Sequence, residues 1–212
     1  MPVTTLALTL APPRTRAAAR VGFQVACALA GSILLALLAQ VAIPLPFTPV
    51  PITGQTLGVL LVGAAYGLGL GAGTVALYLV WAVIGLPVLA PNADGSHDTG
   101  FAVLQAASAT GGYLWGFVLA SALVGWLARR GWDRSFRSAI GAMLLGEILL
   151  FAVALPWLSR ALGALGAPAT LEDTLAAGLY PFVIGDTIKL LAAAALLPGA
   201  WRLLERFRPE ED

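Results

Sequence analysis

Thr56-Leu-Gly-Val-Leu-Leu-Val-Gly-Ala-Ala-Tyr-Gly67-Leu-Gly-Leu-Gly-Ala-Gly73-Thr-Val-Ala-Leu-Tyr-Leu-Val-Trp81-Ala-Val-Ile-Gly-Leu-Pro87 is an almost unbroken apolar run. It continues to Ala90 without a charged residue. A membrane-spanning helix needs about 20 residues, so this run is too long for one crossing and too short for two full ones with a turn. Gly67, Gly69, Gly71 and Gly73 alternate at its centre, where helix is weakest because glycine loses the most backbone entropy. The pattern predicts a short helix near 54–66, a break, and another helix near 70–87.

Upstream stands Pro44-Leu-Pro-Phe-Thr-Pro-Val-Pro51. Prolines this dense remove backbone donors and clash with preceding carbonyls, so the segment is no helix interior and is expected to be rigid and extended. Before it, Val21 to Ile43 is apolar and preceded by Arg14, Arg16 and Arg20. This run exceeds the roughly 7–15 residues of a signal-peptide core and predicts a first span near 19–41. Residues 1–18 are expected to be a loosely ordered cytoplasmic tail. Downstream, 88–110 turns polar and predicts a long loop, with a short helix near 101–108. Further spans are expected at 111–128, 138–157 and 174–197, joined by 129–137 and 158–173. Residues 201–212 close the chain as a mixed basic and acidic cytoplasmic end.

Composition agrees with a lipid environment. Hydrophobic residues make up 59% of the 212 residues and charged residues 11%, against roughly 45–50% and about 25% in soluble proteins. A net charge of +1 gives no reason to expect a nucleic-acid partner. Cys27 is the only cysteine, forms no internal disulfide, and is expected to serve as a small buried apolar residue. Of twelve Lys and Arg, three precede the first span, four lie in 129–137 and three follow Trp201. Placing all three groups on the cytoplasmic side requires an even number of crossings between each pair. The 56–90 run must then cross twice. The expectation is an all-α, polytopic membrane protein: six transmembrane helices over 19–200, both termini cytoplasmic, and 44–51, 88–110 and 158–173 outside.

Three ionisable residues fall well within predicted spans: Glu147, Asp186 and Lys189. A charge at the centre of a spanning helix costs roughly 2.5–3.5 kcal/mol on insertion scales. Asp186 and Lys189 are three apart and share a helix face. They form either a self-contained ion pair that fixes helix packing or a site for a polar solute. The solute would carry N–H groups at one end and a carboxylate at the other. Glu147 either hydrogen-bonds a neighbouring helix or contributes to such a site. Thr53 fits a helix cap before Gln55. Gly111 and Gly112 invite close approach, and Tyr113 offers either an interfacial anchor or a stacking wall. Gly22, Ala26 and Ala30 line one face of the first span, as small residues do where helices approach closely. That face packs within the protein or docks a partner. His97 and Asp98 are too few for a metal site. No phosphate-binding loop of the G-x-x-x-x-G-K-[ST] type is present, Lys189 being the only lysine, and no nucleophile elbow or zinc motif appears.

Four separated motifs carry a family resemblance: Ile43-Pro-Leu-Pro-Phe-Thr-Pro-Val-Pro-Ile-Thr-Gly-Gln55, Ile84-Gly-Leu-Pro-Val88, Ala109-Thr-Gly-Gly-Tyr-Leu-Trp-Gly-Phe117 and Pro181-Phe-Val-Ile-Gly-Asp-Thr-Ile-Lys189. Over about residues 18–200 the chain resembles the BioY family, the substrate-binding S components of energy-coupling-factor (ECF) biotin transporters. The resemblance implies biotin as ligand, a site opening outward, residence in the plasma membrane, no catalysis and no cofactor. It implies partners too: an ECF transmembrane coupling subunit, docked on Gly22, Ala26 and Ala30, and two cytoplasmic ATPase subunits that use the ATP. Ligand contacts carried over are Asp186 and Lys189, with Tyr113 and Gln55 in matching motifs. Glu147, Asn92 and His97 complete the candidate set. The outer loop Pro91-Asn-Ala-Asp-Gly-Ser-His-Asp98 lacks the arginine seen in many members, leaving His97 or Lys189 for the ligand carboxylate. Trp81 or Trp115 is expected to add an apolar wall. Two rivals stand beside this reading: an S component for another vitamin, and a membrane enzyme using Glu147 and Asp186 as acid and base.

Overall fold

The computed structural model describes residues 4–12 and 16–206. Its helices are α1 (Leu6–Leu10), α2 (Ala17–Gln40), α3 (Gln55–Val83), α4 (Gly111–Ala128), α5 (Phe136–Ala164), α6 (Leu171–Gly178) and α7 (Val183–Arg206). A two-stranded antiparallel ribbon, β1 (Ala42–Ile43) with β2 (Ile52–Thr53), is the only sheet among the described residues. Five helices, α2, α3, α4, α5 and α7, are long and apolar enough to cross a membrane. The protein is a multi-pass membrane protein.

The alternating glycines of α3 decide its shape. Gly67 has φ 81° and ψ 177°, a conformation essentially reserved for glycine. There the chain folds back on itself. Gln55 Nε2 donates to the Tyr78 hydroxyl at 2.7 Å across 23 residues, a separation of about 34 Å in a straight helix. Gly63 and Gly71 face each other so closely that a Cβ on Gly71 would lie 3.0 Å from the Gly63 Cα. The two arms, 55–66 and 68–83, therefore run antiparallel. The hairpin tip rests on α4, where a Cβ at Gly125 would meet Gly67 and Leu68 backbone within 2.6 Å. Small residues permit this backbone-to-backbone contact.

α4 packs between α3 and α5, and α7 closes against α5 and α3. α2 is peripheral, with Gly31, Ser32, Leu35 and Ala39 buried and Gly22, Ala26 and Ala30 exposed. Cys27 is half-buried on the same helix rather than enclosed.

Several expected boundaries move. Leu6–Leu10 lies inside the stretch expected to be loosely ordered, yet forms a one-turn helix with Thr5 and Ala7 buried beside the hairpin tip. Residues 1–3 and 13–15 of that tail lie outside the described residues. The proline segment is a folded loop, not an extended rod, because β1 and β2 clamp its ends together. Thr48 also ties it to α6 by donating to the Ala177 carbonyl at 2.7 Å. The helix expected at 101–108 is a single 3-10 turn, Phe101–Leu104. α5 runs to Ala164, past the expected end at 157, and tolerates Pro156.

The expected span 174–197 is two elements. α6 starts in a capping box, Thr170 with Asp173, and ends at Gly178. Pro181 cannot continue it, and α7 starts afresh at Val183 and runs to Arg206. This shift places Asp186 in the first turn of α7 instead of mid-membrane. At the other end, α7 passes through the expected boundary at 200. Trp201 is buried and donates to Asp133, while the Arg134 guanidinium lies 3.3 Å over its ring. Arg134 also donates to the Thr4 carbonyl. Residues 207–212 lie outside the described residues.

Candidate functional site

The first turns of α3 and α7 meet where β2 delivers the chain into α3. Asp186 Oδ1 accepts from Lys189 Nζ at 2.7 Å and from Thr56 Oγ1 at 3.0 Å. Lys189 Nζ also donates to Thr56 Oγ1 at 3.1 Å and to the Thr53 carbonyl. Both side chains are largely buried, 16% exposed for Lys189 and 4% for Asp186. A buried ion pair repays its desolvation only when its remaining donors and acceptors are satisfied, and here the Lys189 protons and Asp186 Oδ1 are met by one hydroxyl and one carbonyl. The location helps as well, because a carboxylate in the first turn of α7 faces the positive end of the helix dipole. Asp186 Oδ2 takes no hydrogen bond among the described residues.

A cleft of about 730 Å³, counting its open mouth, lies above this network. Asp186, Lys189, Thr56 and Gln55 line its polar floor, and Tyr113, Phe117, Phe151 and Phe182 its apolar walls. The Tyr113 ring meets Phe151 edge-on, 6.2 Å between centroids, and its hydroxyl donates to the Gly178 carbonyl at 2.7 Å. Gln55 is held from both ends: Thr53 Oγ1 donates to its Oε1, and its Nε2 binds Tyr78. Tyr78 in turn donates to the Val88 carbonyl. Asn92, Asp98 and Thr110 line both this cleft and a wider vestibule between the proline segment and residues 91–110. An acceptor at the floor, aromatic walls and a polar mouth suit a small molecule with N–H donors at one end and an apolar body.

The model of the family described as BioY matches residues 13–206. This chain belongs to the BioY family. Its BioY relatives include the biotin transporter BioY of Rhizobium etli, 34% identical over 176 residues that cover 80% of this chain and 87% of the relative. The biotin transporter BioY of Thermotoga maritima is 35% identical over 159 residues, 73% of this chain and 82% of the relative. Among solved structures, the S-component for biotin from an ECF-type ABC transporter superposes with a TM-score of 0.71 at 27% identity, covering 84% of this chain and 90% of that one.

Within this BioY fold, the sequence candidates separate. Asp186, Lys189, Tyr113, Gln55 and Asn92 are brought to the cleft. Glu147 is not. It is buried in α5 and borders a lateral groove between α5 and α7, with its Oε1 lacking a partner among the described residues. His97 is also elsewhere, because its Nδ1 is 2.8 Å from the Leu89 carbonyl and serves the loop's own bridge between Pro91 and His97. Trp81 and Trp115 do not line the cleft. Trp115 is exposed and donates to the Leu104 carbonyl. Gly111 and Gly112 admit Trp157 of α5, not a ligand: a Cβ on either would collide with that indole. Thr53 caps differently than expected, since Gly54 is the N-cap and Thr53 Oγ1 accepts the Gln55 N–H.

Sequence reasoning missed Thr56, Phe117, Phe151 and Phe182. Thr56 was legible as the residue beside Gln55 in the first turn of α3, and Phe182 as one turn before Asp186. Nothing in the apolar run of α5 distinguishes Phe151.

Proposed function

We propose that this protein is the biotin-binding membrane subunit of a biotin uptake system. The observation that carries the proposal is the Asp186–Lys189–Thr56 network at the floor of an aromatic cleft in a BioY family member. Asp186 is the acceptor for the ureido N–H groups of biotin. Lys189 and Thr56 hold its carboxylate in place, and Tyr113 with Phe151 and Phe182 encloses the apolar body. The loops at the mouth cover the ligand once it enters. The chain takes no cofactor and performs no catalysis. Its work is capture and release.

We place the protein in the plasma membrane as six helical crossings, counting the two arms of α3 separately. Support comes from the fold-back at Gly67 and from the even crossings that the arginine groups require. Both ends are then cytoplasmic, and the cleft opens outward. Transport is driven by an ECF coupling subunit and two ATPases, with the exposed row Gly22, Ala26 and Ala30 on α2 as docking face.

Isothermal titration of the purified protein with biotin tests the ligand, and sub-micromolar affinity is expected. A thermal-shift panel of other vitamins runs beside it. Stabilisation by another vitamin but not by biotin sinks the biotin reading.

A further inference from the structure

Among the described residues, the cleft and its vestibule hold no spare cation for a ligand carboxylate. Among the described residues Lys189 is the only Lys or Arg lining the cleft or its vestibule. An ammonium group has three protons, and those of Lys189 are already placed on Asp186, Thr56 and the Thr53 carbonyl. Turning one toward a ligand would leave one of these buried acceptors short. His97, the other candidate, is bound to the Leu89 carbonyl and lines neither cavity. Arg160, in the last turns of α5, is exposed and lines neither cavity.

The mouth carries the opposite charge. Asp98 lines both cavities and accepts from Asn92 Nδ2 at 3.2 Å. Asp94 stands in the same loop, bound by Ser96. The remaining polar groups at the rim, such as Thr110 and Gln105, are neutral.

We infer that the binding site is built for the bicyclic ureido end of its ligand and accepts carboxamides of biotin, especially those carrying a cation beyond the amide. The inference rests on the orientation proposed above, with the ureido group at Asp186. The side chain of the ligand then leaves between the proline segment and residues 92–98. A negative end group there gains no partner and faces Asp98. A neutral amide loses nothing, and an ammonium beyond the amide meets Asp98 at an exposed site where salt screens the attraction. A carboxylate held by a cation would instead lose roughly 10- to 150-fold on amidation, the weight of a charge-assisted hydrogen bond.

The test is calorimetric titration of the purified full-length protein in detergent with three probes: biotin, biotinamide and N-(2-aminoethyl)biotinamide. Biotinamide is expected to bind within about threefold of biotin, and the aminoethyl amide at least as tightly as biotinamide. Any advantage of the aminoethyl amide should fade in high salt and in Asp98→Asn. A biotinamide affinity more than threefold below that of biotin overturns the inference while leaving the biotin reading intact. Failure of biotin itself to bind overturns both.

Discussion

Asp186→Asn separates the structural from the ligand-binding role of the central ion pair. The substitution keeps the shape of the side chain and removes its charge. Asparagine Oδ1 still accepts from Lys189 and Thr56, but its amide replaces Oδ2, the oxygen without a protein partner. A donor then faces the donors of the ligand. A hydrogen bond to a charged acceptor is worth about 1.5–3 kcal/mol, and each 1.4 kcal/mol is tenfold in affinity. Loss of one such bond weakens biotin binding by roughly 10- to 150-fold. Fold stability suffers as well, because Lys189 stays buried without its counter-charge. Removing one partner of a buried pair costs about 3–5 kcal/mol. Here the Thr53 carbonyl, Thr56 and the asparagine oxygen remain, so about 1–3 kcal/mol is expected. Adding Lys189→Met removes the stranded ammonium. The double variant should recover thermal stability in detergent while biotin affinity, read by titration, stays low. Binding by Asp186→Asn within threefold of the parent would refute the reasoning. So would a double variant that regains affinity together with stability, since Asp186 would then be structural alone.

Three further outcomes are expected. Gly67→Ala forces a side chain into the φ 81° conformation and toward Thr5 Cγ2 at 2.9 Å; strain of about 1–3 kcal/mol should lower the melting temperature, and a variant as stable as the parent would remove the hairpin account. Tyr113→Phe keeps the wall and loses only the bond to Gly178, so biotin affinity should change by a few-fold at most, whereas Tyr113→Ala should cost far more; equal losses in both variants would show that the hydroxyl, not the ring, matters. Asp133, buried between Trp201 and Arg134, has its carboxyl held above the ordinary value by burial, partly offset by the Trp201 N–H. A raised native value means that this stability contribution is present below the unfolded value and is lost as pH rises through the native one. Thermal unfolding across acid to neutral pH should therefore show the parent falling behind Asp133→Asn as pH increases, and parallel curves would argue against it.

Much of the fold could be read from residues 1 to 212 alone. Apolar run length and arginine placement name a polytopic membrane protein, since lipid and water impose one-dimensional rules on a chain. α4 starts and ends where the pattern of residues 111–128 places it, because Gly111 and Arg129 mark both ends. The break in residues 56–90 was legible for the same reason: four alternating glycines have no rival explanation. The pairing of Asp186 with Lys189 followed from helix periodicity.

Other features were decided only by tertiary structure. Pro181 and Gly178 restart the last span, moving Asp186 to the first turn of α7 beside the positive helix end; a hydropathy average passes smoothly over that break. Thr56 joins the ion pair because α3 and α7 meet at their first turns, 130 residues apart. His97 and Glu147 have the right chemistry for a ligand, yet the loop bridge holds His97 and the packing of α5 against α7 leaves Glu147 on a lateral groove. Gly111 and Gly112 admit Trp157 for a like reason, a contact between helices that no spacing along the chain encodes. Local sequence determines where the chain turns and which faces are apolar, because backbone sterics and hydration act residue by residue. Which polar groups share a cavity depends on how whole helices pack, a property of the three-dimensional fold.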